Sequence, residues 1–138
     1  LDEKNSILYD EMQLKDWSNR IYNVCNEINE IVKKEKQTNT LCYAYGSPTK
    51  ASLLLKMSRL SSREIEFIVE DNEYKVGKYL PKLGIPIVSF NQLNFNKKSL
   101  IFILAWNFSD DIIRKLKRFY KAPIKIIIPL PKLKVLEI

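Results

Sequence analysis

Residues 45–50 form the first of three short segments whose side chains could hold a ligand. A glycine and a serine follow an apolar run there, and Lys50 comes soon after. A glycine at a strand-to-helix turn lets the backbone approach a ligand, and a helix N-terminus offers unpaired N–H groups and positive potential to an anion. The same residues equally fit a plain turn, in which Gly46 makes the bend and Pro48 starts a helix.

The other two segments also follow apolar runs. Asp71 comes shortly after one of them, and in dinucleotide-binding folds an acid at that place often accepts a hydrogen bond from a ribose hydroxyl. Strand ends also carry acids because they reach water, and spacing alone favours that interpretation. Trp106 and Phe108 flank Asn107 after a later run. These aromatic rings could stack on a base or a sugar, although by themselves they better fit a cap on the core.

The composition argues against several kinds of chemistry. The 138 residues contain no His and only two Cys, so we expect neither a zinc site nor histidine-based catalysis within this chain. Neither GxGxxG nor the P-loop pattern occurs, which disfavours an NAD-binding enzyme. Cys25 and Cys42 fall inside predicted elements. We interpret them as small core residues in a reducing cytoplasm rather than as a disulfide.

The net charge of +7 would permit binding to an anion, a nucleic acid or a membrane surface. The basic residues are spread along the chain, however, and many fall near predicted helix C-termini, where the helix dipole favours cations. No nucleic-acid-binding motif is visible, and no apolar run reaches the roughly 18–20 residues that a bilayer span needs. We therefore expect a cytoplasmic protein with neither nucleic acid nor membrane as a partner.

Apolar periodicity predicts a long helix at the start of the chain, over about residues 10–36. Its apolar residues recur at spacings of three and four and would form one stripe, made of Trp17, Ile21, Val24, Cys25, Ile28, Ile31 and Val32. We expect this stripe to pack residues 1–36 onto an α/β body formed by residues 40–138.

Five short apolar runs follow, separated by helical or irregular segments. The predicted strands are residues 40–45, 65–69, 85–88, 99–105 and 124–128. A second helix is expected after residue 50, and a third runs from Ser109 until Pro123 stops it. Near-continuous apolar strands that alternate with helices indicate a parallel sheet covered on both faces. The predicted fold is a single, three-layer, Rossmann-like α/β domain with a mainly parallel sheet, in which ligands bind beyond the carboxyl ends of the strands.

Several segments also match known motifs, in the same order along the chain. Residues 43–50 (YAYGSPTK) resemble a YGAPAKG-type motif, and residues 69–81 (VEDNEYKVGKYLP) resemble VxDxNPYKxGxYLPG. Residues 85–89 (IPIVS) and 104–108 (LAWNF) resemble two further motifs, and residues 126–129 resemble a closing strand and proline. Together these motifs resemble the C-terminal domain of deoxysugar C-methyltransferases, over nearly the whole chain.

The chain departs from the family pattern at three places. Ala51 stands where glycine is usual, and Glu73 replaces the proline before the tyrosine. Lys82 and Leu83 replace a glycine and a threonine, which changes the loop after Pro81.

The resemblance implies a role without catalysis in this chain. In full-length relatives a zinc-binding domain and an S-adenosylmethionine domain come first, and they carry the catalytic histidine and the cofactor. The reaction is proton abstraction beside a keto group of a nucleotide-linked sugar, followed by methyl transfer to that carbon. The resemblance implies that this chain binds no cofactor or metal, and that it holds the sugar nucleotide against the upstream methyltransferase domain.

The resemblance also indicates which residues would bind the sugar nucleotide, converging on one cleft. They are Tyr45, Gly46, Ser47, Lys50, Asp71, Asn72, Lys75, Tyr79, Trp106 and Asn107. The alternative is a different class of protein, a Rossmann-like scaffold or protein-interaction domain that binds no nucleotide.

Overall fold

Three α-helices and six strands form along residues 3–138, the part of the chain that the computed structural model describes. The helices are α1 (Glu3–Gln37), α2 (Ala51–Met57) and α3 (Ser109–Phe119). The strands are β1 (Leu41–Tyr45), β2 (Ile68–Val69), β3 (Ile87–Val88), β4 (Ser99–Ile103), β5 (Ile124–Ile128) and β6 (Lys134–Glu137). Within these residues, no helix combines the length and the apolar character that crossing a membrane requires.

The strands form one six-stranded sheet in the order β3-β2-β1-β4-β5-β6. All neighbouring pairs are parallel except β5 and β6. In register, Ile101 at the centre of β4 lies opposite Tyr43 on β1 and Ile126 on β5. The chain moves outward from β1 to β3 and then returns to place β4 on the other side of β1. The β1–β4 gap is therefore the point where the strand order reverses, at which such sheets bind ligands.

The sheet is covered on both faces, which confirms the predicted three-layer architecture. One apolar cluster includes Ile28 of α1, Leu55 of α2 and Phe102 of β4. The other includes Ile103 of β4 and Leu116 of α3. Because neighbouring residues of a strand point to opposite faces, a sheet buried on both sides needs continuous apolar strands. This explains why the strands appeared in the sequence as runs rather than as alternating patterns.

The first helix packs on the body with only its second half. It begins at Glu3, earlier than the predicted residue 10, and residues 4–20 are all exposed. Ile21, Cys25 and Ile28 are buried, whereas Trp17 is 52% exposed. The expectation that Trp17 belongs to the buried stripe is therefore wrong. The body ends alongside Ile21, and at 1.5 Å per residue the helix continues for roughly 25 Å beyond it.

The edges of the sheet differ from the sequence prediction. The second strand begins at Ile68 instead of residue 65, although the Glu66 N–H already donates to the Cys42 carbonyl at 2.9 Å. Residues 77–80 fold back beside β3, where the Gly77 N–H donates to the Ile87 carbonyl at 2.9 Å. Strand β6 was not predicted, because all of its residues are exposed and it lacks an apolar run.

The amino ends of β1, β4 and β5 meet around a buried carboxylate. Glu35, near the end of α1, lies 2.5 Å from the Lys125 Nζ and 3.6 Å from the Lys98 Nζ. The Thr40 hydroxyl donates to the same carboxylate at 3.3 Å. The hydrogen bond from Lys125 holds the pKa of Glu35 below its ordinary value, and the same bond raises the pKa of Lys125.

Both cysteines are buried and free. Cys25 lies on α1 and Cys42 on β1, and both belong to the same apolar cluster. Burial raises the pKa of Cys42 to about 11, which keeps it in the neutral thiol form. These observations confirm that both residues act as core residues rather than as a disulfide.

Candidate functional site

A cleft of about 600 Å³ lies beyond the carboxyl ends of β1, β2 and β4, where the strand order reverses. Its lining comes from four places along the chain: Tyr45 to Pro48 at the end of β1, Glu70 to Asn72 and Lys75 after β2, Ala105 and Phe108 after β4, and Asp111, Ile112 and Lys115 on α3. Its volume is within the range of small-molecule sites. Six of the predicted binding residues line it: Tyr45, Gly46, Ser47, Asp71, Asn72 and Lys75.

Three polar side chains that line this cleft are linked to one another. The buried Tyr45 hydroxyl donates to the Asp71 carboxylate at 3.0 Å. The Lys115 Nζ lies 3.0 Å from the same carboxylate and 4.2 Å from the centre of the Phe90 ring. Burial, and next the negative charge of Asp71, raises the pKa of Tyr45. Tyr45 therefore stays protonated at neutral pH, and its hydrogen bond orients Asp71.

The turn after β1 is held by the carboxylate of Glu70. Both the Ser47 N–H and the Ser47 hydroxyl donate to one Glu70 oxygen, at 3.0 and 2.5 Å. The Lys75 ammonium donates to the Ser47 carbonyl at 3.0 Å. The Ser47 N–H, which we expected to be free for a ligand at this turn, therefore already donates to the Glu70 carboxylate. The helix starts at Ala51, as expected after residue 50, and Pro48 to Lys50 form a separate turn before it.

Gly46 is required by the approach of two backbone segments. Its φ is +89°, in the region that favours glycine, and a Cβ placed on it would lie 2.5 Å from the Cβ of Ala105. The glycine therefore lets the turn after β1 pass close to the turn after β4. The sequence suggested a close approach of the backbone to a ligand, whereas the structure shows a close approach to the chain itself.

Lys50, Trp106 and Asn107 line a second, smaller cleft of about 340 Å³. The two clefts share Pro48, Ala105 and Phe108. Phe108 is 63% exposed, so an accessible aromatic ring borders both spaces. The prediction of a single cleft is therefore wrong for Lys50, Trp106 and Asn107, which face the other side of this border. Trp106 to Phe108 form a single 3-10 turn, and only its last residue, Phe108, lines both clefts.

Asn72 and Tyr79 have different surroundings. Asn72 lines the first cleft, and its side-chain oxygen accepts a hydrogen bond from the Tyr74 N–H at 3.0 Å, which stabilises the turn after β2. Tyr79 is 67% exposed and lines neither cleft. Its backbone forms a bridge with Pro86, at the outer edge of the sheet. The prediction that Tyr79 shares the cleft is wrong for that reason.

Several lining residues are absent from the predicted binding set. Glu70 is a direct neighbour of the predicted Asp71, but nothing in its spacing separates it from solvent-facing positions. The Phe108 ring was considered for stacking on a base or a sugar, but by itself it better fitted a cap on the core. Asp111 and Lys115 were not considered individually, because acids at a helix start and basic residues toward its end are what the helix dipole favours. Their spacing of four residues places them on one face of α3, and that signal could have identified them.

The polar groups of the first cleft suit a ligand with hydroxyl and phosphate groups better than a metal ion. Within residues 3–138, no three His, Cys, Asp or Glu side chains are grouped so that they could hold a metal. The acids are bound by protein donors, as when Arg114 pairs with Asp111 at 2.6 Å. Carboxylates can accept hydrogen bonds from ligand hydroxyls, and the ammonium groups of Lys75 and Lys115 can donate to phosphate.

Comparison with known proteins agrees with the resemblance seen in the motifs. Residues 1–131 match the family model described as the C-methyltransferase C-terminal domain. The chain is also 33% identical over 111 residues to C-methyltransferase NovU of Streptomyces niveus. This alignment covers 80% of the chain and 26% of NovU, so the chain spans about a quarter of that relative. The chain belongs to the C-methyltransferase C-terminal domain family.

Proposed function

We propose that this chain is the substrate-binding C-terminal domain of an S-adenosylmethionine-dependent C-methyltransferase that acts on a nucleotide-linked sugar. In this proposal the first cleft holds the sugar nucleotide, and a separate catalytic domain of the same protein carries out the methyl transfer. The family of the chain supports the reaction class, and the motifs of the chain resemble those of enzymes that act on deoxysugars.

The observation that carries the proposal is the mixture of charges in one cleft at the switch point of the sheet. Asp71 and Asp111 offer carboxylate oxygens to hydroxyl groups, while Lys75 and Lys115 offer ammonium groups. A sugar linked to a nucleotide carries hydroxyls on the sugar and the ribose, and negative charge on its diphosphate. A cleft that offered only one kind of group would leave part of such a ligand unpaired, at a cost in affinity.

Within the proposal, this chain binds and orients, while the rest of the protein supplies the chemistry. The sequence has no His, and the described residues hold no group of metal ligands. We therefore assign zinc and S-adenosylmethionine to the upstream domains. The upstream methyltransferase domain and the sugar nucleotide are then the two partners of this chain.

Isothermal titration calorimetry with sugars linked to dTDP, UDP, GDP and CDP tests the proposal directly. We expect saturable binding of at least one sugar nucleotide to the 138-residue chain, and no saturable binding of NAD. Lys75→Ala should weaken that binding about 10- to 100-fold, because it removes a charged donor from the cleft. The matched control is Lys56→Ala, the same change on an exposed part of α2 that lines neither cleft.

Two results would contradict the proposal. An absence of saturable binding at millimolar ligand would favour the alternative, a Rossmann-like scaffold or interaction domain that binds no nucleotide. Equal losses of affinity in Lys75→Ala and Lys56→Ala would place the ligand outside the first cleft.

A further inference from the structure

The first half of α1 exposes an unusual amount of apolar surface. Residues 4–20 are all exposed, and six large apolar side chains among them are each more than half accessible: Ile7, Leu8, Tyr9, Met12, Leu14 and Trp17. A helical segment of this length is only marginally stable in water without packing. Large contiguous apolar patches on soluble proteins usually mark an interaction site.

This surface continues a stripe that is already buried further along the helix. Ile7, Leu14, Ile21 and Ile28 recur at intervals of seven, so they lie along one side of α1. Ile21 and Ile28 pack into the apolar cluster of the body, whereas Ile7 and Leu14 are exposed. A partner that covers the exposed part therefore extends the same packing layer, directly beside the body.

We propose that the first half of α1 is the docking surface for the methyltransferase part of the same polypeptide. This inference rests on the proposed function. The relative NovU extends well beyond the aligned region, which is 26% of its length. The family is a C-terminal domain, so the remaining part comes earlier in the chain, toward α1. Helix α1, the first element of this domain, is therefore the element nearest along the chain to the preceding domain.

The charge and shape of the surface fit a domain better than a second copy of this chain. In the heptad that places Ile7 and Leu14 at position a, Asp10 occupies position d. A parallel pair of α1 helices would place Asp10 opposite Asp10, and like charges in such a seam repel each other. Leu8 and Met12 lie four residues apart on another side of the helix, which one partner helix in the seam would leave uncovered.

Hydrogen–deuterium exchange on the full-length protein and on the 138-residue chain tests the inference. We expect the amides of residues 4–20 to exchange more than about tenfold more slowly in the full-length protein, because docking removes local opening. Leu14→Glu in the full-length protein should abolish this protection and lower kcat/KM for methyl transfer by about tenfold or more. Asn23→Glu is the matched control, since it adds the same charge at an exposed position of α1 that lies outside residues 4–20.

The possible outcomes separate the docking proposal from the proposed function. Equal exchange of residues 4–20 in the two proteins would overturn docking, even if the cleft binds a sugar nucleotide. Light scattering that shows a dimer of the 138-residue chain, converted to a monomer by Leu14→Glu, would assign the surface to a second copy instead. Protection of residues 4–20 without any sugar-nucleotide binding would keep the docking surface and refute the function of the cleft.

Discussion

At the scale of single residues, the cleft is organised by hydrogen bonds that the chain makes to itself. Glu70 binds the turn after β1, and Tyr45 together with Lys115 holds Asp71 in place. Side chains held in this way lose little freedom when a ligand arrives, so less of the binding energy is spent on ordering them. The cleft is therefore preorganised, although part of its hydrogen-bonding capacity is already used.

Gly46→Ala should destabilise the fold by at least about 2 kcal/mol, since it combines strain at positive φ with a contact against Ala105. Gly77→Ala is the control, because Gly77 has a φ of +90° but nothing lies within 4 Å of its added Cβ. It should show only the backbone strain, about 1 kcal/mol. Urea unfolding of both variants measures the difference. Equal losses of unfolding free energy in Gly46→Ala and Gly77→Ala would mean that the structure relieves the contact with Ala105 without cost.

At the scale of elements, the two halves of α1 differ in what they contribute to the domain. The second half is part of the core, where Cys25, Ile28 and Val32 are fully buried. It is also tied by a buried hydrogen bond from the Asn29 side chain to the Ser58 carbonyl, at 2.8 Å. The first half makes no comparable buried contact among the described residues, so its conformation contributes little to the stability of the body.

Two truncations should therefore behave differently. Deleting residues 1–19 should change the free energy of unfolding by less than about 1 kcal/mol, because the residues removed from 4 onward are exposed. Deleting residues 1–36 should leave the remainder unfolded or aggregated, since each buried apolar side chain contributes about 1.5–3 kcal/mol. Circular dichroism during thermal unfolding distinguishes the cases. A cooperative transition at the original melting temperature after the longer deletion would contradict this account.

At the scale of the whole molecule, binding and stabilisation are placed at opposite ends of the sheet. The first cleft lies beyond the carboxyl ends of the strands, whereas the Glu35 cluster joins the amino ends of β1, β4 and β5. Glu35 is only 7% exposed and connects α1 to β5 through Lys125. Changes in that cluster should therefore affect stability without affecting ligand binding.

Glu35→Gln should lower the free energy of unfolding by about 1–3 kcal/mol at neutral pH, because it weakens a buried charge-assisted hydrogen bond. The pKa of Glu35 is lowered in the folded chain, so its stabilising effect is fully present above the ordinary value of 4.5. The effect is lost as the pH falls through the lower, folded-state pKa. Urea unfolding across this pH range should show the native chain and the variant converging in acid.

Glu137→Gln serves as the control for this experiment. Glu137 also pairs with Lys125, at 3.4 Å, but its side chain is 77% exposed. An exposed ion pair contributes less than about 1 kcal/mol, so this variant should differ little from the native chain. A loss in Glu137→Gln as large as that in Glu35→Gln would show that burial of the carboxylate is not what matters.

The sequence by itself determined the fold class and the family. Apolar runs of strand length between helices predict a covered parallel sheet because both faces must be buried, and the structure confirms this. Several motifs in the right order identified the family, which the comparisons confirm. The sequence also indicated that Tyr45, Asp71 and Lys75 would lie near each other, since the carboxyl ends of neighbouring parallel strands lie at one end of the sheet.

Only the tertiary structure decided which of these residues share a space and which are already bound. Position along the chain gives the strand end at which a residue lies, but not the direction that each turn takes afterwards. Lys50 and Trp106 therefore line a second cleft. The Ser47 N–H donates to the Glu70 carboxylate instead of being free for a ligand. The exposure of Trp17 has a similar cause, because periodicity marks the apolar side of a helix but not where the body that covers it ends.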